Sequence, residues 1–123
     1  MCRTIIAGSR CFSEEHLIAE AVKESGFQLS SVISGCARGV DTLAINWASK
    51  NGIRVEKFPA NWNLYGKSAG YKRNKQMADV ADALIAIWDG DSRGTKHMID
   101  IATAKGIPVF VKIIRSHKET ILF

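Results

Sequence analysis

Cysteine and proline are scarce in this chain of 123 residues, which contains three cysteines and two prolines. Cys2, Cys11 and Cys36 cannot supply the paired framework of a disulfide-stabilised domain, and their spacing matches no zinc-binding pattern. We therefore expect a protein that folds without disulfides, without a metal and without a cofactor. Because disulfides are rare in reducing compartments, the cysteine usage favours the cytoplasm.

Long hydrophobic runs are also missing. No apolar stretch approaches the roughly 18 residues that a membrane span needs, so we expect no membrane partner. The apolar start of the chain around Thr4–Ala7 is too short for a signal peptide and predicts a first strand instead. There are no repeats, low-complexity runs or long linkers.

The remaining composition is that of an ordinary globular protein, with 46% hydrophobic and 24% charged residues. The length fits one domain, and we expect residues 1–123 to form a single domain able to bury its own core. The net charge of +5 favours an anionic partner without choosing among a nucleotide, a nucleic acid and an acidic protein.

Strand and helix patterns alternate along the chain. The predicted strands are Thr4–Ala7, Leu29–Ile33, Arg54–Phe58, Ala83–Trp88 and Pro108–Ile113. The predicted helices are Glu14–Ser25, Val40–Lys50, Ser68–Val80 and Thr95–Lys105. Ser13 is the expected N-cap of the first helix, and Gly26 and Gly106 are expected to end the first and fourth. This alternation predicts a three-layer α/β fold with a mostly parallel sheet of five or slightly more strands.

Three segments that follow predicted strands each contain glycine, a hydroxyl side chain and an arginine. They are Gly8–Arg10, Ser34–Gly39 and Asp89–Thr95. Because the carboxyl ends of parallel strands meet at one edge, these segments should lie together. Glycine allows close approach, a helix N-terminus attracts anions, and arginine suits phosphate. The pattern therefore predicts a site for a phosphorylated, nucleotide-like ligand.

Several single residues have two interpretations. Asp41 could bind a ribose hydroxyl or stabilise a helix start. His97 could contact phosphate or transfer a proton, or it could be an exposed bystander. Trp62 and Tyr65 could stack on a base or pack their own loop.

Nearly the whole chain, in order, resembles the SLOG superfamily and in particular its YspA-related branch. The matching segments are Ile6–Arg10, Val32–Ala44, Phe58–Trp62, Gly66–Gly70, Arg73-Asn74, Met77, Ala81-Asp82, Trp88–Gly90 and Ser92–Ile99. The segment Ser34–Asp41 also resembles the DNA-processing DprA proteins of the same superfamily.

This resemblance implies a Rossmann-like sheet and a site for nucleotides or nucleotide-derived ligands. Several members of the branch come from phages or mobile elements. The ligand-binding residues carried over from the family pattern are Gly8, Ser9, Arg10, Ser34, Gly35, Arg38, Gly39, Asp41, Arg73, Asn74, Asp89, Gly90, Ser92, Gly94 and Thr95.

Two positions depart from the family pattern. Cys36 stands where the branch often has glycine. The cysteine side chain should reduce the conformational freedom of that turn. Met98 stands where the LOG-type phosphoribohydrolases have a glutamate that acts at the ribose, and a thioether cannot transfer a proton. The nearest acid, Asp100, points elsewhere on a helix. Cleavage of an N-glycosidic bond in the LOG manner is therefore disfavoured.

The leading hypothesis is a module that binds or senses a nucleotide or a nucleotide-derived phosphorylated small molecule. An alternative is an enzyme acting at an N-glycosidic or phosphate bond, with acid–base chemistry from Asp41, Asp89, Asp91 or His97. A second alternative is DprA-like binding of single-stranded nucleic acid.

We expect the phosphate at the start of the predicted fourth helix, over Ser92–Thr95, with Arg10 or Arg38 approaching from neighbouring loops. The ribose should lie nearer Asp41. The apolar tail Ile121–Phe123 suggests a homodimer contact.

Overall fold

Five strands form one sheet in the computed structural model, which describes residues 2–114. The strands are β1 (Cys2–Gly8), β2 (Leu29–Ser34), β3 (Arg54–Lys57), β4 (Ala83–Trp88) and β5 (Val109–Ile113). All neighbouring pairs are parallel, in the order β3-β2-β1-β4-β5. The parallel five-stranded sheet predicted from the sequence is confirmed.

Helices cover both faces of this sheet. They are α1 (His16–Ser25), α2 (Val40–Lys50), α3 (Trp62–Tyr65), α4 (Ala69–Val80) and α5 (Arg93–Lys105), with a 3-10 turn at Gly66–Ser68. Helices α1 and α2 pack on one face, and α4 and α5 pack on the other. This is the predicted three-layer arrangement.

The alternation of side chains along each strand divides the core between the two faces. Ile5 packs on the side of α4 and α5, whereas the next residue, Ile6, packs on the side of α1 and α2. Both are fully buried, as are Leu84 and Ile85 in β4. A strand covered on both faces has to be apolar on both, which explains the short continuous hydrophobic runs.

The ends of the elements differ from the prediction in detail. Helix α1 begins at His16, and Ser13 does not cap it: Glu15 holds the cap position without a side-chain bond. The expectation of a Ser13 cap is therefore wrong. Gly26 and Gly106 end α1 and α5 with φ of 73° and 79°, as expected.

The order of the strands creates a crevice at the carboxyl edge. From β1 the chain passes to β2 on one side, whereas β4 and β5 lie on the other, so the loops after β1 and β4 diverge. Such a switch point is where ligands bind in open parallel sheets. No helix within residues 2–114 is long and apolar enough to cross a membrane. The tail with Ile121–Phe123 lies outside the described residues.

Candidate functional site at the carboxyl edge of the sheet

A cleft of about 460 Å³ opens above β1 and β4, between the loop after β1 and the helices α4 and α5. Its volume falls within the roughly 300–1,000 Å³ of small-molecule sites. Nine of the fifteen predicted ligand-binding residues line it, namely Gly8, Arg10, Asp41, Arg73, Asn74, Asp89, Ser92, Gly94 and Thr95. Segments that are far apart in sequence therefore meet at one site, as the parallel sheet requires.

The other six predicted residues lie beside the cleft rather than in its wall. Ser9 and Ser34 are buried, and their hydroxyl groups hold neighbouring backbone. Ser9 Oγ accepts the N–H of Asp89 at 3.1 Å, and Ser34 Oγ donates to the carbonyl of Asp41 at 3.1 Å. Arg38 is exposed and lines an adjoining hollow. The remaining three are Gly35, Gly39 and Gly90.

Close packing within the protein explains three of the site glycines. A Cβ on Gly8 would lie 2.7 Å from Val40 Cγ2, and a Cβ on Gly39 would lie 2.6 Å from the Cα of Arg10. At Gly35 a Cβ would lie 2.8 Å from Arg73 Cζ. Gly8 and Gly39 therefore bring the loops together and would be required with or without a ligand, because an added side chain would meet backbone atoms. A side chain at Gly35 would instead displace the ends of the Arg73 and Asp41 side chains.

Gly94 differs from these three, because a Cβ there would meet no atom of residues 2–114 within 4 Å. It lies in the first turn of α5, whose leading N–H groups have no partner within the helix. The side chain of Ser92, at the N-cap, makes no capping bond, and its hydroxyl lies 3.0 Å from that of Thr95. The open backbone at Gly94 thus leaves the positive end of the α5 dipole accessible from the cleft.

Asp89 shapes the loop that leads into α5. Its Oδ1 accepts the N–H groups of Asp91 at 2.9 Å and Ser92 at 2.8 Å. Burial raises the pKa of this carboxyl, but the N–H donors of Ser92 and Asp91 outweigh it, so the pKa lies below its ordinary value. Asp89 is therefore an ionised turn-former. Gly90 follows it with φ of 88°, exposed to solvent.

Asp41 provides a nearly buried carboxyl in the wall of the cleft, 5% exposed. Burial raises its pKa from 3.8 to about 6. The N–H of Ala37, the charge of Arg73 and the N–H of Gly8 act in the opposite direction and limit this rise. The N–H of Ala37 donates to its Oδ2 at 3.1 Å. This carboxyl can consequently accept a hydrogen bond from a ligand hydroxyl, or donate one when protonated.

Arg73 and Asn74 join the two sides of the cleft. The Arg73 guanidinium donates to the Gly35 carbonyl and, through Nε, to Asn74 Oδ1 at 3.1 Å. Asn74 Nδ2 in turn donates to the carbonyl of Gly94 at 3.3 Å. Burial lowers the pKa of Arg73, whereas the carboxylate of Asp41 raises it.

His97 does not line the cleft. Its ring lies 4.4 Å from that of Tyr71, between centroids, and its Nδ1 lies 3.1 Å from Asn74 Nδ2. Burial lowers the pKa of His97, opposed by the charge of Asp100. The structure therefore places this histidine behind Asn74, outside the lining of the cleft.

The aromatic side chains around the cleft divide into two kinds. Trp62, 52% exposed, and Tyr71, 48% exposed, line the cleft, whereas Tyr65 does not. Sequence reasoning missed Tyr71 and the lining residue Lys67. The signal that could have found them is the Gly- and Ser-containing segment Gly66–Gly70, which leads into α4.

Met98 is almost fully buried at 1% exposure and lines the cleft. The position at which the LOG-type enzymes have their glutamate thus faces the site here with a thioether. Among residues 2–114, no group of three or more His, Cys, Asp or Glu side chains is arranged to hold a metal ion.

A parallel sheet of this order, with a helix N-terminus open at its switch point, defines a Rossmann-like α/β protein. The model of the YspA, cpYpsA-related SLOG family matches residues 2–65, from β1 to the end of α3. The chain belongs to this family.

Among solved structures, DNA processing protein A (DprA) from Streptococcus pneumoniae is similar, with a TM-score of 0.72 and 16% identity. The similarity covers 99% of this chain and 61% of that one, so the chain spans about three fifths of its structural neighbour. At this identity the likeness establishes the shared fold. No curated protein gives a significant sequence match.

Proposed function

We propose that the cleft binds a nucleotide or a nucleotide-derived phosphorylated small molecule, in a binding or sensing role. The observation that carries the proposal is the open first turn of α5, which faces the same cleft as Arg10 and Asp41. Backbone N–H groups, a helix dipole and an arginine together suit a phosphate. A buried carboxyl beside them suits a sugar hydroxyl.

In the proposed arrangement the phosphate lies over Gly94, with Arg10 completing its coordination. Arg10 lines the cleft, whereas Arg38 lines the hollow beside it, so Arg10 is the better placed of the two predicted arginines. The ribose lies against Asp41. The exposed rings of Trp62 and Tyr71 offer stacking surfaces for a base.

Calorimetric titration with nucleotides, ADP-ribose derivatives and cyclic nucleotides tests this proposal. At least one should bind and raise the melting temperature, because a ligand that binds the native state stabilises it. Gly94→Val should abolish binding, since its branched side chain would fill the space above the first turn. Ala104→Val adds a β-branched side chain to an exposed position of the same helix, outside the cleft, and should bind normally.

Circular dichroism would confirm that both variants are folded. Wild-type affinity in folded Gly94→Val would locate the phosphate elsewhere. If no phosphorylated ligand bound at millimolar concentration, the proposal itself would be wrong.

The enzymatic alternative is supported by only some of its predicted residues. Of the four acid–base candidates, Asp41 and Asp89 line the cleft, while Asp91 and His97 do not. With Met98 at the position of the glutamate, we expect nucleoside monophosphates to be recovered intact. Chromatography after incubation checks this, and a released base that disappears in Asp41→Asn would establish turnover.

Single-stranded nucleic acid is the second candidate, favoured by exposed Trp62, Tyr65 and Tyr71 beside Lys67 and Lys72. The structural neighbour is described as a DNA-processing protein. Salt-titrated binding to oligonucleotides separates the two candidates. Tight binding with a steep salt dependence would favour the nucleic acid over the small molecule.

A further inference from the structure

A second hollow adjoins the cleft on the side of the loop between β2 and α2. It has a volume of about 280 Å³, and we call it the arginine pocket. The residues that define it here are Arg10, Gly35, Cys36, Arg38, Trp62 and Arg73. Cys36, in its wall, has a left-handed φ of 64°, which is unusual for a residue other than glycine.

The charged side chains that line the arginine pocket are arginines. Among residues 2–114, three arginines line it and no carboxylate does, whereas Asp41 lines the adjoining cleft. Within residues 2–114, Arg10 and Arg38 form no salt bridge, whereas Arg3 pairs with Glu56 at 2.6 Å. Asp41 partly balances Arg10 and Arg73 from the adjoining cleft. The three arginines still give the pocket an excess of positive charge, which suits an anion.

Two of these cations lie close enough to affect one another. Burial lowers the pKa of Arg73, Asp41 and Cys36 raise it, and the charge of Arg10 lowers it further. Arg10 has the smallest of these effects, and a bound phosphate would add to the counter-charge that Asp41 already supplies. The guanidinium of Arg73 is held in place by its bonds to the Gly35 carbonyl and to Asn74, so it is preorganised for such a ligand.

The arginine pocket and the cleft share a wall made by Arg10, Ala37, Trp62 and Arg73. A single ligand can therefore extend from one to the other past the indole ring of Trp62. If the 5′ phosphate lies at α5 and the ribose lies against Asp41, the substituent that reaches the arginine pocket leaves from the 2′ or 3′ side of the ribose. A longer 5′ chain, as in a nucleoside triphosphate, would grow at the α5 end instead.

We propose that the arginine pocket is a second anion subsite, and that the ligand is a nucleotide with a further phosphate on the 2′ or 3′ side of its ribose. This inference rests on the proposed function of the cleft. The second phosphate can belong to a nucleoside bisphosphate or to the phosphodiester of a short oligonucleotide. Both present the same chemistry to Arg38.

Titration calorimetry with AMP and adenosine 3′,5′-bisphosphate tests the proposal. The bisphosphate should bind the wild type at least about tenfold more tightly, since charge-assisted bonds to arginine are strong. Arg38→Ala should remove most of that gain and change AMP affinity less than about twofold, because Arg38 lines only the arginine pocket. Arg54→Ala, an exposed arginine at the start of β3, removes the same charge at the opposite edge and should keep the gain.

The outcomes separate this inference from the proposed function. Equal affinities for AMP and the bisphosphate, or a gain that survives Arg38→Ala, would overturn the second subsite while binding of AMP upholds the cleft. If neither ligand bound at millimolar concentration, both proposals would fall.

The dinucleotide pApA identifies the source of the second phosphate. Tighter binding of pApA than of the bisphosphate, lost in Arg38→Ala, would support the subsite and assign the phosphate to a phosphodiester. The reverse order, with the same loss, would support the subsite and assign it to a free bisphosphate.

Discussion

Asn74 Nδ2 donates a hydrogen bond to the carbonyl oxygen of Gly94, 3.3 Å away, and this contact ties α4 to the first turn of α5. The same side chain accepts from Arg73 through Oδ1. One amide that is 6% exposed therefore sets the position of the proposed phosphate-binding turn and of a neighbouring cation together.

Asn74→Ala should lower the free energy of unfolding by about 1–3 kcal/mol, because it leaves buried polar partners unmatched. It should also weaken sulfate binding at the cleft, since Arg73 and α5 lose a common support. Urea denaturation and calorimetry measure the two effects. Asn46→Ala, at an exposed position of α2, should change stability by less than about 0.5 kcal/mol. If the two variants were equally stable, the hydrogen bonds of the Asn74 amide would make no measurable contribution to the free energy of unfolding.

Gly8 and Gly94 should respond in opposite ways to alanine. Gly8→Ala forces a methyl group to within 2.7 Å of Val40 and should cost about 1–3 kcal/mol of unfolding free energy. Gly94→Ala meets open space in a helix and should stabilise by up to about 1 kcal/mol. Denaturation of both variants in the absence of ligand checks this. A tolerated Gly8→Ala would contradict the packing explanation of that glycine.

Asp41 should make stability depend on pH. Its pKa is about 6 in the folded protein, against an ordinary value of 3.8. Between these values the native state holds the proton more tightly than the unfolded state, so the free energy of unfolding should fall as pH rises towards 6 and stay reduced above it. The loss is at most about 3 kcal/mol. Asp41→Asn should be more stable than the wild type at pH 8, with the advantage shrinking towards pH 4.

Sulfate binding should respond to the same proton. Sulfate does not titrate between pH 5 and 8, so a change in its affinity reports on the protein. Protonation of Asp41 removes a negative charge from the cleft, and we expect tighter sulfate binding at pH 5 than at pH 7.5. The difference between the wild type and Asp41→Asn isolates this carboxyl from other titrating groups. A profile that is identical in the two proteins would place sulfate outside the cleft.

The sequence alone predicts most of the fold, because its signals are local. Short apolar runs such as that around Ile85 mark buried strands, and Gly26 and Gly106 mark the ends of helices. The meeting of the three loops at the sheet edge follows from the predicted parallel sheet, because the carboxyl ends of parallel strands lie together. Ser13 does not cap α1 because the chain is already helical at Glu15, and the N–H groups of Leu17 and Ile18 donate to the carbonyls of Glu14 and Glu15 instead.

Only the tertiary structure decides what each site residue does. Gly8 and Gly94 look alike in the sequence, yet one is crowded by Val40 from α2 and the other faces open space. Arg10 and Arg38 look equivalent as well, but Arg10 lines both the cleft and the arginine pocket, whereas Arg38 lines only the arginine pocket. Composition and periodicity determine which elements form, since those preferences act over a few residues. The space and charge around a side chain depend on residues distant in sequence, and only the packing of the whole sheet brings those together.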